Sequence, residues 1–174
     1  MTFPIRPMTK EIQSLPYRAP EIMLDNMLYS SSVDMWSIGV IIYEMLMGHR
    51  LFQGVSEIEY LIEVMRRKGT PKANDIAQYP KYKNLLKIGI LLPKFEKPLS
   101  SGMLMDHPSH DSFEDESSEK SKLAYGFADF IEQLTSIDPV KRPSARQAIR
   151  ILKTIRNEYQ AECFGGEDWY EPTH

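Results

Sequence analysis

Asp34-Met35-Trp36-Ser37-Ile38-Gly39-Val40-Ile41-Ile42-Tyr43-Glu44-Met45-Leu46-Met47-Gly48 is the stretch on which the fold turns. Wound into a helix, its apolar residues leave no wide polar face, and only Ser37 and Glu44 interrupt them. A helix apolar all round in a soluble chain has to be central, with other elements packed about it. Ser31 and Asp34 are spaced like a capping pair, and Gly48 suits the left-handed residue that follows a helix end. The run is too short and too interrupted to span a bilayer.

Downstream, Ser56 and Glu59 make a capping box for a helix to about Lys68, with Ile58, Leu61, Ile62 and Met65 as its apolar stripe. Arg66, Arg67 and Lys68 suit its negative end, and Gly69-Thr70-Pro71 stops it. Residues 72–105 read as loops with one or two short helices, punctuated by Pro80, Pro93 and Pro98. From Asp106 to Lys122 the chain is polar and acidic, with Phe113 its one large apolar residue. Such a composition does not offset its ordering entropy, and a disordered insert over 106–122 is expected.

Order returns near Leu123, where Phe127, Phe130, Ile131 and Leu134 fall at helical spacing. A last helix starts at Ser144, boxed by Gln147, with Ala145, Ala148, Ile149, Leu152 and Ile155 on one side. Residues 161–174 read as a loosely attached tail after a domain over 1–160. Upstream of the central helix, residues 1–29 read as irregular, because Pro4, Pro7, Pro16 and Pro20 each remove a donor and restrict the residue before them. Pro20 suits the first position of a short helical turn, with Glu21 near its positive end. No alternating pattern is strong enough for a sheet, so the expected architecture is all-α.

The totals fit one domain of 174 residues. With 21 basic and 24 acidic side chains the net charge is −3, which gives no electrostatic reason to expect nucleic acid or an anionic membrane as a partner. The single Cys163 has no partner for an internal disulfide, no signal-peptide pattern opens the chain, and an intracellular protein is expected.

Three motifs read together carry a family resemblance: Leu15-Pro16-Tyr17-Arg18-Ala19-Pro20-Glu21, Asp34-Met35-Trp36-Ser37-Ile38-Gly39, and Asp138-Pro139-Val140-Lys141-Arg142-Pro143. In this order and on these elements they resemble the large, carboxy-terminal lobe of protein kinases from the end of the activation segment onward. Val33-Asp34-Met35-Trp36, Leu51-Phe52-Gln53-Gly54 and Gly69-Thr70-Pro71 resemble the cyclin-dependent and MAP-kinase (CMGC) branch in particular. Pro16 departs from the aromatic residue usual there.

The resemblance implies roles. Glu21 and Arg142 form a buried, bidentate ion pair; Asp34 holds the catalytic-loop backbone; Trp36 lies in the core. Arg18 supports the pocket for the residue after the phosphorylated Ser or Thr, and Ser14 lies near the catalytic aspartate. Thr9 sits where the branch carries its activating phosphosite, and phosphate there adds about −1.5 to −2 charge for arginines, Arg6 among them, to bind.

The family's chemistry needs a Gly-rich phosphate loop, a Lys–Glu pair, a His-Arg-Asp loop and an Asp-Phe-Gly metal site. None stands in these 174 residues; His49-Arg50-Leu51 and Asp129-Phe130-Ile131 are near misses in the wrong places. No catalytic, cofactor-binding or metal residue is therefore assigned, and ATP and magnesium are implied only for a complete family domain. Asp106-His107-Pro108-Ser109-His110-Asp111 has metal-capable side chains but reads as a solvated run. Expected partners are protein substrates, with a cyclin-like regulator or an amino-terminal kinase portion. The alternative to a partial Ser/Thr kinase is a non-catalytic interaction module built on such a lobe.

Overall fold

Pro20–Met23 forms a single helical turn, α1, with Pro20 at its first position and Glu21 in its first turn. The structure, a computed structural model, describes residues 12–26, 29–72, 79–87, 92–96 and 119–164. A 3-10 turn, Leu15–Tyr17, precedes α1. There follow α2, Ser32–Met47; α3, Glu57–Lys68; α4, Pro80–Lys87; α5, Glu119–Leu134; and α6, Ala145–Phe164. No strand occurs among the described residues, so the fold is all-α.

α2 is central and buries two of its faces. Val33, Trp36, Val40 and Tyr43 pack against Met23 and Leu24, Leu51 and Phe52, and Tyr60, Leu61, Val64 and Met65 of α3. Met35 faces Phe130 and Leu134 of α5 and Ala148 and Ile155 of α6. Each fully buried large apolar side chain contributes roughly 1.5–3 kcal/mol. Gly39 is where α5 comes closest: a Cβ there would sit 2.8 Å from both Leu134 Cβ and Thr135 Cγ2. Gly48 closes α2 at φ 73°, and its N–H donates to the Glu44 carbonyl.

The third face of α2 is bare. Ile38 and Ile41 are 40% and 44% exposed and Met45 79%, on one line of the helix, with Leu46 beside them at 47%.

The start of α2 differs from expectation. Ser31 is already in the right-handed helical region (φ −58°, ψ −7°) and its side chain caps nothing. Ser30 replaces it, its Oγ accepting from the Ser32 N–H at 3.3 Å. Asp34 is consequently an exposed residue of the first turn rather than half of a box.

The other helices keep their signals with adjustments. Ser56 Oγ accepts from the Glu59 N–H, and the Glu59 carboxylate reaches back to the Val55 N–H. The buried line of α3 is Tyr60, Leu61, Val64, Met65 and Lys68, while Ile58 is 37% exposed. The stripe rotates because Tyr60 and Lys68 bury their stems and place their polar ends on partners, Pro16 O and Glu132 Oε2. Thr70 holds the 92–96 segment through bonds to Pro93 O and Phe95.

α5 begins at Glu119, so the last four residues of the expected 106–122 insert are helical backbone, and the rest of that insert lies outside the described residues. Ser144 and Gln147 form the reciprocal box expected of them. On α6 the side packed into the core is Ala148 and Ile155, with Ile151 and Leu152 partly buried; Ala145 is exposed and Ile149 is 55% exposed. α6 continues to Phe164, past the expected domain end at 160, and residues 165–174 of the expected tail lie outside the described residues.

Candidate functional site

Two clusters of polar side chains occupy the side of the molecule where α1, the 3-10 turn and the first turns of α2 and α3 converge. The first is built on Glu21 and Arg142. Arg142 Nη1 and Nη2 donate to the two carboxylate oxygens of Glu21 at 2.6 and 2.7 Å, and both side chains are essentially inaccessible to water. The remaining guanidinium donors reach Ser136 O, Ile137 O and Ser32 O. A planar five-donor group can satisfy this many acceptors at once, and a lysine cannot. The guanidinium carbon lies 5.1 Å from the Trp36 ring centroid, adding a cation–π contact. Trp36 stacks on Phe52, and Phe52 meets Tyr60 edge to face. Tyr60 then donates to Pro16 O at 2.5 Å. Burial pushes its hydroxyl well above the usual phenol range. An unbroken row of side chains thus runs from the ion pair to the 3-10 turn.

The second cluster fixes residues 12–18. Arg18 Nε donates to Ile12 O and Gln13 O, and Nη2 to Gln13 O at 2.9 Å. Arg18 Nη1 meets Glu57 Oε1 at 2.5 Å, and the other Glu57 oxygen takes Lys81 Nζ of α4. Lys81 first, then Arg18, holds the Glu57 carboxyl below its ordinary value, against a smaller opposing effect of burial. Gln13 has φ 62°, a left-handed backbone that non-glycine residues seldom adopt. Its side chain is fully engaged: Nε2 donates to Val33 O and Ser37 Oγ, and Oε1 accepts from the Ala19 N–H. Ser37 passes its own proton to Tyr17 O at 2.8 Å. The Tyr17 hydroxyl donates to Glu44 at 2.9 Å, and that bond to a carboxylate is the main cause of a raised Tyr17 pKa. The two polar residues that interrupt the α2 apolar run, Ser37 and Glu44, are therefore the ones that face this loop.

The sequence-derived residues divide accordingly. Glu21, Arg142 and Trp36 come together in one buried cluster. Arg18 sits in the loop cluster, and Ser14 stands exposed at the start of its 3-10 turn. Asp34 is exposed in the first turn of α2. Thr9 and Arg6 lie outside the described residues. Gln13, Ser37, Glu57 and Tyr60 were not singled out in the sequence. The polar breaks in the α2 run were the available signal for Ser37, whereas no spacing rule marks Gln13. Among the described residues no three His, Cys, Asp or Glu side chains converge where a metal ion could be held. No described helix is long and apolar enough to cross a membrane.

Comparison with known proteins gives a match to the protein kinase domain over residues 3–151. The chain is similar to cyclin-dependent kinase B2-2 of Arabidopsis thaliana, 36% identical over 141 residues that cover 67% of this chain and 45% of the relative. It is similar to cyclin-dependent kinase B2-1 of the same plant at 35% identity over the same shares. The chain thus spans less than half the length of these curated relatives.

Proposed function

Because the chain belongs to the protein kinase family and matches cyclin-dependent members of it, we propose that it forms the substrate-docking part of a Ser/Thr protein kinase of that type. ATP-dependent phosphoryl transfer is assigned to the complete family domain, with ATP and magnesium as its cofactors. Its partners are protein substrates and a cyclin-type regulator, in an intracellular setting.

The observation that supports this reading is the state of the Gln13 carbonyl. In a left-handed loop residue it is already taken by two Arg18 donors. A docked peptide whose residue after the phosphoacceptor carries an N–H leaves that donor without this partner, at a cost of about 1–3 kcal/mol. Proline has no N–H to strand. The pocket beside Ser14 and Arg18 therefore favours Ser-Pro or Thr-Pro sequences.

The test is a peptide panel phosphorylated by the complete kinase domain, unmodified and with Arg18→Ala. Preference for proline after the acceptor, relaxed by Arg18→Ala, is expected; a kinase indifferent to that position contradicts the reading. The bare stripe Ile38, Ile41 and Met45 favours a second reading, an interaction module without catalysis. Absence of phosphotransfer from the longest natural form of the protein would select it.

A further inference from the structure

The side chain of Gln13 does something that neither the sequence motifs nor the family match assigns. Its backbone is strained, and such a conformation persists only where the surroundings over-determine it. Arg18 holds the carbonyl, but Arg18 is itself 16% exposed and hangs from residues 12 and 13 of the same loop. Something must tie that loop to the rigid body, and the Gln13 amide provides three such ties. It reaches Val33 O at 3.0 Å and Ser37 Oγ at 2.8 Å in the first turns of α2, and the Ala19 N–H at 3.2 Å beside α1. Through Ser37 the connection continues to Tyr17 O, so both ends of the loop are fastened to one helix. α2 offers a firm anchor at this point, since Trp36 and Val40, close to Ser37 on the helix, are fully buried.

We propose that the Gln13 side-chain amide, relayed by Ser37, is the positioning group that fixes the docking loop so that its carbonyl faces Arg18. Any change that removes the amide leaves the loop free to rotate back to an ordinary backbone and to present that carbonyl to the peptide. Gln13 is in this sense a specificity determinant that touches no substrate atom through its side chain, and its effect on peptides rests on the docking reading above.

The Arg18 Nε–H resonance reports the loop without any peptide. Gln13→Met keeps the length of the side chain and removes all three bonds; Ser37→Ala breaks the relay. Each should speed exchange of the Arg18 Nε–H by roughly tenfold, while amides within α2 and α5 keep their protection. The double variant should be no faster than the quicker single one, since both act on one connection. Wild-type exchange in Gln13→Met, or effects that multiply in the double variant, would overturn the proposal. A peptide arm separates the two readings. Loosened Arg18 in a chain that never preferred proline sinks the docking reading and leaves the latch standing; intact Arg18 with an intact proline preference in Gln13→Met sinks the latch alone.

Discussion

Arg142 and Glu21, 121 residues apart in sequence, meet through two parallel hydrogen bonds of 2.6 and 2.7 Å with both side chains closed off from water. Removing one partner strands the other charge in the interior. Arg142→Ala should therefore cost about 3–5 kcal/mol of stability, and Glu21→Gln should cost a smaller amount because it keeps one acceptor. Urea unfolding followed by far-UV circular dichroism measures both; a loss under about 1 kcal/mol for Arg142→Ala would mean the pair is not holding α1 to the α5–α6 connection.

Gly39 is a packing requirement. A methyl group placed there overlaps Leu134 Cβ and Thr135 Cγ2, each 2.8 Å away and neither at the end of a flexible side chain. Gly39→Ala should destabilise by roughly 1–3 kcal/mol although alanine is the better helix former. Thermal unfolding decides it, and a raised Tm would show that α5 gives way.

Glu57 gives a pH signature. Its carboxyl is held below the ordinary value of 4.5 by Lys81 and Arg18, so its contribution is fully present above that value and is lost as pH falls through the lower folded one. With Glu57 41% exposed, the contribution is on the order of 0.2–1 kcal/mol. Stability curves of wild type and Glu57→Gln should be separated at pH 6 and converge below about pH 4.5. A constant separation across that range would exclude the linkage.

The line Ile38, Ile41 and Met45 predicts hydrophobic-dye binding and self-association of the isolated chain. Ile41→Lys with Met45→Lys should reduce both, at little cost in stability, because the altered side chains already face water. A dye-silent wild-type monomer in the ultracentrifuge contradicts this.

Much of this arrangement was legible beforehand for identifiable reasons. Gly48 and the boxes at Ser56 and Ser144 are local signals, decided within one turn of helix, and they hold. The Ser31–Asp34 box is equally local and fails: Ser31 is already helical, the Asp34 N–H donates to the Ser31 carbonyl, and Ser30 Oγ takes the Ser32 N–H instead. The pairing of Glu21 with Arg142 depends on contacts 121 residues apart and came from family motifs, not spacing. Gln13 stayed invisible because a glutamine in a loop has no preferred partner until tertiary structure supplies Val33, Ser37 and Ala19. The rotation of the α3 stripe was hidden for a related reason: Tyr60 and Lys68 bury their stems only because Pro16 O and Glu132 wait for their polar ends.

The docking role is tested most directly by titrating this chain with two peptides that differ only in proline or alanine after a serine, following backbone and Arg18 Nε–H resonances. The proline peptide should bind more tightly by about tenfold, the equivalent of roughly 1.4 kcal/mol, with its shifts concentrated at residues 12–18. Equal affinity, or shifts that fall elsewhere on the surface, would contradict the account.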